Sequence, residues 1–355
     1  MKYKAFAFLT TTIVLISFVF IGLFNYIVDP YGQNHYWDAP FNTIKATQDE
    51  RVQKFNLIKN NPTASSFIFG SSRSLRLNPA VVEELTHTKT LNLGFASGTV
   101  DEYLLYIRYL IDTRKVDNII IGIDLFSYSE GFRPNGILPE ELSNRYHVNS
   151  DKPLGNYFSY KMFRHSLGTI INNLATKKEL DRIGINGEGI FYDYLEASKA
   201  GDQQLKNYID KNVINKKARW NASTNTLSNN RLNELRKIKQ LCDQKQIKLY
   251  LFMSPLWIKQ ITMKNNKFEG QKNLLRYIAT NVSPIWDYNA FTHLNTDPYL
   301  YHDSFHYGNK IADSILTELF THQSMDKTLK GSLVTPTNID EYIRIVEQKE
   351  RAYKK

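Results

Sequence analysis

Cysteine is nearly absent from this sequence of 355 residues, which contains only Cys242. A single cysteine excludes an intrachain disulfide and any metal site built from several cysteines. Cys242 lies in a helical pattern, where a small buried apolar residue is the ordinary interpretation. Internal repeats and long low-complexity tracts are missing as well. The hydrophobic content of 42% and the aromatic content of 13% instead indicate a folded globular chain.

The sequence also lacks a nucleic-acid-binding motif, although its formal net charge is +10 at pH 7. Its lysines and arginines are scattered along the chain, so we expect no nucleic-acid partner. A basic surface close to anionic lipid or to an anionic cell-surface polymer fits this distribution better. We find no motif for a cofactor or a metal ion and expect neither.

Charge is absent from residues 5–28, AFAFLTTTIVLISFVFIGLFNYIV. A helix of this length covers roughly 36 Å, which exceeds a hydrocarbon core of about 30 Å. Lys2 and Lys4 precede the segment, so the positive-inside rule predicts that residues 1–4 are cytoplasmic and that the remainder is extracytoplasmic, periplasmic or extracellular. We predict an uncleaved single-pass anchor in the cell membrane. The alternative, a cleaved signal peptide, normally has a shorter apolar region and a small-x-small cleavage site.

Beyond the anchor, the chain divides by composition. Residues 29–46 are predicted to form a linker, and residues 47–322 a folded domain. The polar, aromatic segment 130–226 interrupts that domain and is predicted to be an insertion covering one end of its sheet. Residues 323–355 form a polar tail, in which a helix is predicted from Ile339.

The domain alternates short apolar runs with amphipathic segments, which predicts a three-layer α/β fold around a parallel sheet. Several of the runs are almost entirely apolar, as expected for strands that are covered on both faces. Thr99 and Glu102 form a capping-box pattern at the start of one helix. The predicted strands are Ser66–Phe69, Thr90–Leu93, Asn118–Ile123, Lys248–Met253 and Ile285–Tyr288. The predicted helices are 47–60, 101–113, Tyr160–Leu174, 227–246, 268–280 and 308–320.

A serine cluster follows the first predicted strand, in the run Phe67-Ile68-Phe69-Gly70-Ser71-Ser72-Arg73. A nucleophilic serine works best on a tight turn at the carboxyl end of a strand, where its hydroxyl is exposed and backbone N–H groups face the developing oxyanion. The same pattern also occurs in ordinary turns. Arg73 is interpreted either as a cation that acts beside this serine or, like Arg76, as a surface residue.

A second motif, Asp303-Ser304-Phe305-His306, precedes the last predicted helix of the domain. An aspartate three residues before a histidine can hold the imidazole in orientation while the histidine takes the proton of a serine. A metal site formed by His302, Asp303 and His306 is the alternative, but its spacing matches no established signature.

Two further blocks lie between these motifs. Asn92-Leu93-Gly94-Phe95-Ala96-Ser97-Gly98 follows the second predicted strand, and Gly122-Ile123-Asp124 ends the third. In their order, the four blocks resemble the SGNH (GDSL-like) hydrolase superfamily across roughly residues 66–320. The sequence looks most like the membrane-anchored branch that includes the teichoic-acid D-alanylation protein and the alginate O-acetylation proteins, in which Gly-Ser-Ser also replaces Gly-Asp-Ser.

The resemblance implies a flavodoxin-like α/β/α fold and a triad of Ser72, Asp303 and His306. It also implies an oxyanion hole formed by the backbone N–H of Ser72 and an N–H of the Ser97–Gly98 turn.

The third block departs from the superfamily, which usually has a hydrogen-bond-donating asparagine where this sequence has Asp124. An ionised carboxylate only accepts hydrogen bonds and repels an oxyanion. We therefore predict that ionised Asp124 does not complete the oxyanion hole, and that Asp124→Asn leaves activity unchanged or raises it. Arg73 is then the candidate donor. Asp124 also favours an alternative function, in which a non-catalytic SGNH scaffold binds a glycan or an assembly partner.

The expected function is that of an extracytoplasmic serine enzyme that acts on acyl esters. It either transfers an O-acyl group to a cell-envelope glycan or removes an O-acyl group from one. The expected substrate is an acylated small molecule or glycan, and a membrane acyl-donor protein is a candidate partner. Hydrolysis and transfer both remain open. Trp257, after the fourth predicted strand, is interpreted either as lining the substrate cleft or as a core or lid aromatic.

Overall fold

The computed structural model forms two compact units, the first from Met1–Asn60 and Gly136–Ile183, the second from Asn61–Asn135 and Gly184–Lys355. The described residues leave out much of the predicted linker and of the predicted insertion. They also leave out Ser304 of the second motif. The structure describes residues 2–32, 39–42, 50–134, 136, 138–146, 157–174, 182–184, 186–190, 207, 226–262, 267–303 and 305–353.

The described part of the first unit is mostly helical and ends with the two-residue strand β4 (Arg182–Ile183). Helix α1 is long and apolar enough to cross a membrane, and most of its side chains are exposed on the isolated chain. Helix α6 packs along α1. The helices of this unit are α1 (Lys2–Val28), α2 (Glu50–Asn60), α5 (Glu140–Arg145) and α6 (Tyr160–Leu174).

The second unit contains a six-stranded sheet in the order β2-β1-β3-β6-β7-β8, parallel except for the final strand. With β6 and β7 counted as the fourth and fifth parallel strands, this is the 2-1-3-4-5 order of one common doubly wound sheet. The strands are β1 (Ser66–Phe69), β2 (Thr90–Asn92), β3 (Asn118–Ile123), β6 (Lys248–Met253), β7 (Ile285–Asp287) and β8 (Ser332–Val334); the two-residue strands β4 (Arg182–Ile183) and β5 (Gly189–Ile190) lie outside this sheet.

Both faces of the central strands are buried, which explains their apolar sequences. Successive side chains along a strand point to opposite faces, yet every residue of β1 and β3 is buried. On one face, Ile68 and Ile120 lie in register and pack into a core cluster with Phe252 and Trp286. The sheet is therefore a rigid platform for the loops at its edges.

Helices connect and cover the strands of this unit. Helix α3 packs on α11, and α4 packs on α7. The helices are α3 (Pro79–Thr86), α4 (Val100–Thr113), α7 (Asn229–Gln244), α8 (Ile258–Ile261), α9 (Lys267–Asn281), α10 (His293–Thr296), α11 (Asn309–Thr321) and α12 (Ile339–Tyr353).

The α/β class and the mostly parallel sheet confirm the coarse expectation, but several short elements were not predicted, among them helix α3 and strand β8. Helix α3 has a readable start signal, because the Asn78 side chain accepts a hydrogen bond from the N–H of Ala80 and Pro79 occupies the first turn. Strand β8 adds an antiparallel edge strand from within the polar tail. It is only three residues long, and a run of that length carries no periodic signal.

Candidate active site

Four loops reach one edge of the sheet. Strands β1, β2 and β3 are parallel neighbours, so their carboxyl ends lie at the same edge, where the loops of doubly wound sheets form ligand sites. Ser72 follows β1, the loop 93–98 follows β2, and Asp124 follows β3. The segment before α11 reaches this edge too, because His306 touches Ser72.

The turn that carries Ser72 is fixed by its neighbours. Gly70 has a φ of +144°, which L side chains rarely adopt, and an added Cβ would overlap the Ser74 hydroxyl. The buried amide of Asn92 donates to the carbonyls of Ser74 and Leu77 at 2.7 and 2.8 Å. These contacts hold the turn against β2 and leave Ser72 only half-buried.

Residues 300–303 and 305–308 pair with each other as the two arms of a hairpin. The N–H of Gly308 donates to the carbonyl of Leu300 at 2.7 Å, and the N–H of His302 donates to the carbonyl of His306 at 2.8 Å. Tyr301 and Tyr307, a bridged antiparallel pair, are fully buried. The hairpin is thus anchored in the core on both arms and presents the imidazole of His306.

Ser72, His306 and Asp303 form a continuous hydrogen-bonded chain. The Ser72 Oγ lies 2.9 Å from Nε2 of His306, and Nδ1 of His306 lies 2.9 and 3.0 Å from the two carboxylate oxygens of Asp303. Asp303 Oδ1 also accepts the backbone N–H groups of Phe305 and His306, at 2.6 and 2.9 Å. The predicted residues therefore meet, although 231 positions separate Ser72 from Asp303. This is the geometry of a serine nucleophile with its general base and orienting carboxylate.

Arg73 and Asp124 form a buried ion pair beside Ser72, with side chains that are 8% and 0% exposed. Arg73 Nη1 donates to Asp124 Oδ1, and Arg73 Nε donates to the carbonyl of Phe305 at 2.6 Å. The interpretation of Arg73 as a surface cation is therefore wrong. One guanidinium therefore pairs with the charge of Asp124 and ties the turn of Ser72 to the hairpin of His306.

The loop after β2 reaches the same place, since the Phe95 N–H donates to the carbonyl of Gly70 at 3.2 Å. Ser97 lies at its turn with a φ of +55°. The Gly98 N–H, a predicted oxyanion donor, is already engaged by the Phe95 carbonyl at 3.1 Å. Of the predicted oxyanion donors, the N–H groups of Ser72 and Ser97 therefore stay candidates.

Arg76 and His302 are buried near the same hairpin, with exposures of 7% and 8%, so Arg76 is not a surface residue either. Burial, assisted by the positive charge of Arg76, lowers the pKa of His302 to about 4. A neutral His302 is therefore expected at physiological pH.

Trp257 belongs to the core. Its side chain is 1% exposed, and its ring packs edge-on against Tyr301 with centroids 5.5 Å apart. The interpretation of Trp257 as a cleft-lining residue is therefore wrong, because its indole packs inside the core cluster. Asn92 and the carbonyl of Phe305 are the site groups that the sequence reasoning missed. Only the position of Asn92 at the end of a strand hinted at a role.

No protein-family model and no curated protein sequence matches this chain.

Proposed function

We propose that the second unit is a serine acyl-ester enzyme with a three-layer SGNH-like fold. The observation that carries the proposal is the chain of contacts from Ser72 Oγ to His306 Nε2 at 2.9 Å and from His306 Nδ1 to Asp303 at 2.9 Å. A serine hydroxyl is a weak nucleophile until a base takes its proton. His306 is within reach of that proton, and Asp303 holds the tautomer in which Nε2 is the acceptor.

The reaction follows from these positions. Ser72 Oγ attacks the acyl carbonyl carbon while its proton moves to His306 Nε2, and the N–H groups of Ser72 and Ser97 stabilise the oxyanion. The tetrahedral intermediate collapses as His306 returns the proton to the leaving alkoxide, which leaves an ester on Ser72. A second hydroxyl compound then loses its proton to His306 and attacks this ester. His306 returns that proton to Ser72 Oγ as the ester bond to Ser72 breaks, which regenerates the enzyme and forms the product.

The alternative, a non-catalytic binding scaffold, was favoured by Asp124, because a lone carboxylate would repel an oxyanion. The ion pair with Arg73 removes that objection, since the two charges cancel. A protein that only binds a glycan would also have no need for a histidine aligned at 2.9 Å on a half-buried serine.

We further propose that α1 is an uncleaved transmembrane anchor and that the enzyme works outside the cytoplasm on a cell-envelope glycan. The anchor would keep the active site where membrane-bound acyl donors and nascent polymers are concentrated. A bound sugar hydroxyl can outcompete water, because well-oriented reactions reach effective molarities on the order of 10⁵ M or more. Transfer is therefore favoured over hydrolysis. Protein from membrane fractions should keep its own N-terminus, whereas a mature chain beginning near residue 30 would contradict the anchor.

The decisive test of catalysis is labelling of the full-length protein with a fluorophosphonate probe. We expect labelling of the wild type, none of Ser72→Ala, and slow labelling of His306→Asn. Ser71→Ala is the matched control, because Ser71 is the neighbouring buried hydroxyl outside the triad. Wild-type protein that is correctly folded and stays unlabelled would reject the enzyme in favour of the binding scaffold.

Transfer and hydrolysis are separated with p-nitrophenyl acetate in the presence and absence of candidate oligosaccharides. Acetylated oligosaccharide that disappears in Ser72→Ala supports transfer. Acetate release at an unchanged rate, with no acylated sugar by mass spectrometry, supports hydrolysis with those acceptors.

A further inference from the structure

Helix α6 has an inverted distribution of side chains. Its buried face is mostly polar and consists of Met162, Ser166, Thr169 and Asn173. Its exposed face carries large apolar residues: Tyr160, Leu167, Ile171 and Leu174 are 79%, 41%, 62% and 69% exposed.

The two faces are separate stripes, because a helix turns 100° per residue. The spacings of seven, four and three residues from Tyr160 to Leu174 keep the exposed apolar residues within about one sixth of the circumference. A helix in water shows the opposite arrangement, with its apolar stripe inside. A stripe of this kind marks a surface that another apolar phase covers.

The buried side of α6 is attached to the apolar helix α1. The amide of Asn25 donates to the carbonyl of Tyr157, three residues before α6, and its oxygen accepts a hydrogen bond from Ser166 at 2.8 Å. Asn25 is completely buried. Polar groups that join helices in this way are typical of contacts made within a membrane.

The contact reaches well into the apolar part of α1. The ring of Phe158 stacks on Phe18, with centroids 4.6 Å apart and planes 7° apart. Gly22 makes this approach possible, because an added Cβ would overlap the Phe158 ring. A span of about 20 residues that starts at Ala5 ends near Phe24, so Phe18 and Gly22 lie level with the hydrocarbon.

We propose that α6 is a second membrane-contacting element, which lies against the outer boundary of the bilayer with its apolar stripe in the lipid. The proposal rests on α1 being a transmembrane anchor. The occupant is lipid rather than a protein, because the stripe continues from a contact that already lies at the depth of the hydrocarbon. Lys161 and Arg164 are both exposed and lie on one side of the stripe, where they can reach lipid phosphates.

The test uses full-length protein in liposomes and single nitroxide labels on Leu167→Cys and Ile171→Cys. Wild-type protein treated with the same label is the control for background labelling, because its only cysteine, Cys242, is completely buried. Collisions of the label with oxygen, which concentrates in lipid, are compared with collisions with a water-soluble nickel chelate. Val19→Cys in α1 is the lipid reference, and Lys115→Cys, whose lysine side chain is 83% exposed, is the water reference.

We expect the ratio of oxygen to nickel collisions at Leu167→Cys and Ile171→Cys to exceed unity and to approach that of Val19→Cys. Ratios equal to that of Lys115→Cys, with Val19→Cys in lipid, overturn the proposal and leave the anchor standing. Labels shielded from both reagents also overturn it, because a protein surface then covers the stripe. If the collision ratio at Val19→Cys equals that at Lys115→Cys, α1 does not lie in lipid. Both the transmembrane anchor and the present proposal are then rejected.

Discussion

Replacing the buried carboxylate of Asp124 tests the site most directly. Asp124→Asn keeps the shape of the side chain and one acceptor oxygen for Arg73, but it removes the charge that neutralises the guanidinium. Breaking a buried ion pair by removing one partner destabilises a protein by about 3–5 kcal/mol. Because asparagine still accepts a hydrogen bond from Arg73, we expect the free energy of unfolding to fall by about 3 kcal/mol, the lower end of this range.

The same change should lower activity. Arg73 Nε donates to the carbonyl of Phe305, the residue before His306. A guanidinium without its counter-charge is expected to turn toward water, and the hairpin then loses the contact that sets the position of His306. A displacement of about 1 Å at a catalytic group can cost about 10²-fold. We therefore expect fluorophosphonate labelling and ester turnover to fall by about tenfold to a hundredfold, which reverses the expectation drawn from the sequence alone.

The assay measures both quantities on full-length protein in detergent. Stability is read from urea-induced unfolding by tryptophan fluorescence, and activity from the labelling rate. The matched control is Asp101→Asn, since Asp101 pairs with Arg231 but its side chain is 48% exposed. That change should cost about 1 kcal/mol or less.

A double variant, Arg73→Met with Asp124→Leu, separates the two effects. It removes both charges of the pair, so the free energy of unfolding should return to within about 1 kcal/mol of the wild-type value. Activity should stay low, because the Phe305 carbonyl has lost its donor. An Asp124→Asn protein as stable and as active as the wild type would refute the reasoning. Recovery of activity together with stability in the double variant would show that Arg73 does not position the histidine.

Two further predictions concern the surroundings of the site. The pKa of the His302 imidazole is lowered to about 4 in the folded protein, whereas in the unfolded chain it is about 6.5. Between these two pH values the unfolded chain binds a proton at His302 and the folded chain does not. The free energy of unfolding should therefore fall by about 3 kcal/mol as the pH drops from above 6.5 to 4. Urea unfolding at pH 7 and at pH 4.5 measures how much the free energy of unfolding changes with pH. We expect a smaller change in His302→Gln than in the wild type, and equal changes would contradict the lowered pKa of His302. Gly70→Ala should slow fluorophosphonate labelling more than tenfold, because the added methyl group strains the turn and overlaps Ser74. The control is Gly32→Ala, which should leave the labelling rate unchanged: Gly32 also has a positive φ, of 64°, but no atom lies close to the added methyl group. Normal labelling of Gly70→Ala would show that the turn tolerates rearrangement.

Much of the second unit could be predicted from local patterns. Strand β3 was predicted with its observed bounds, because six consecutive buried residues leave a continuous apolar signature. Helix α4 begins beside the predicted capping residue Thr99, whose N–H donates to the Glu102 carboxylate at 3.0 Å. Ser72, Asp303 and His306 could be predicted together because each motif adjoins a strand or a helix, and parallel strands bring such ends to one edge.

Partners across the site could not be predicted, because nothing local identifies them. Arg73 reads as a surface cation when only its neighbours in sequence are considered. Its burial depends on Asp124, which lies 51 residues away and follows a different strand. The inverted face of α6 was also missed, because helical periodicity alone does not say which stripe faces the protein.

The site joins two dipeptides through paired contacts. Ser72 meets His306 through its hydroxyl, and the next residue, Arg73, meets Phe305, the residue before His306. The histidine is therefore held by its own side-chain contacts and, independently, by a backbone contact one residue away. This double attachment keeps the Ser72 Oγ and His306 Nε2 atoms 2.9 Å apart. The charge of Arg73 that makes this possible has to be neutralised, which gives the aspartate at position 124 a role that an asparagine would fill less well.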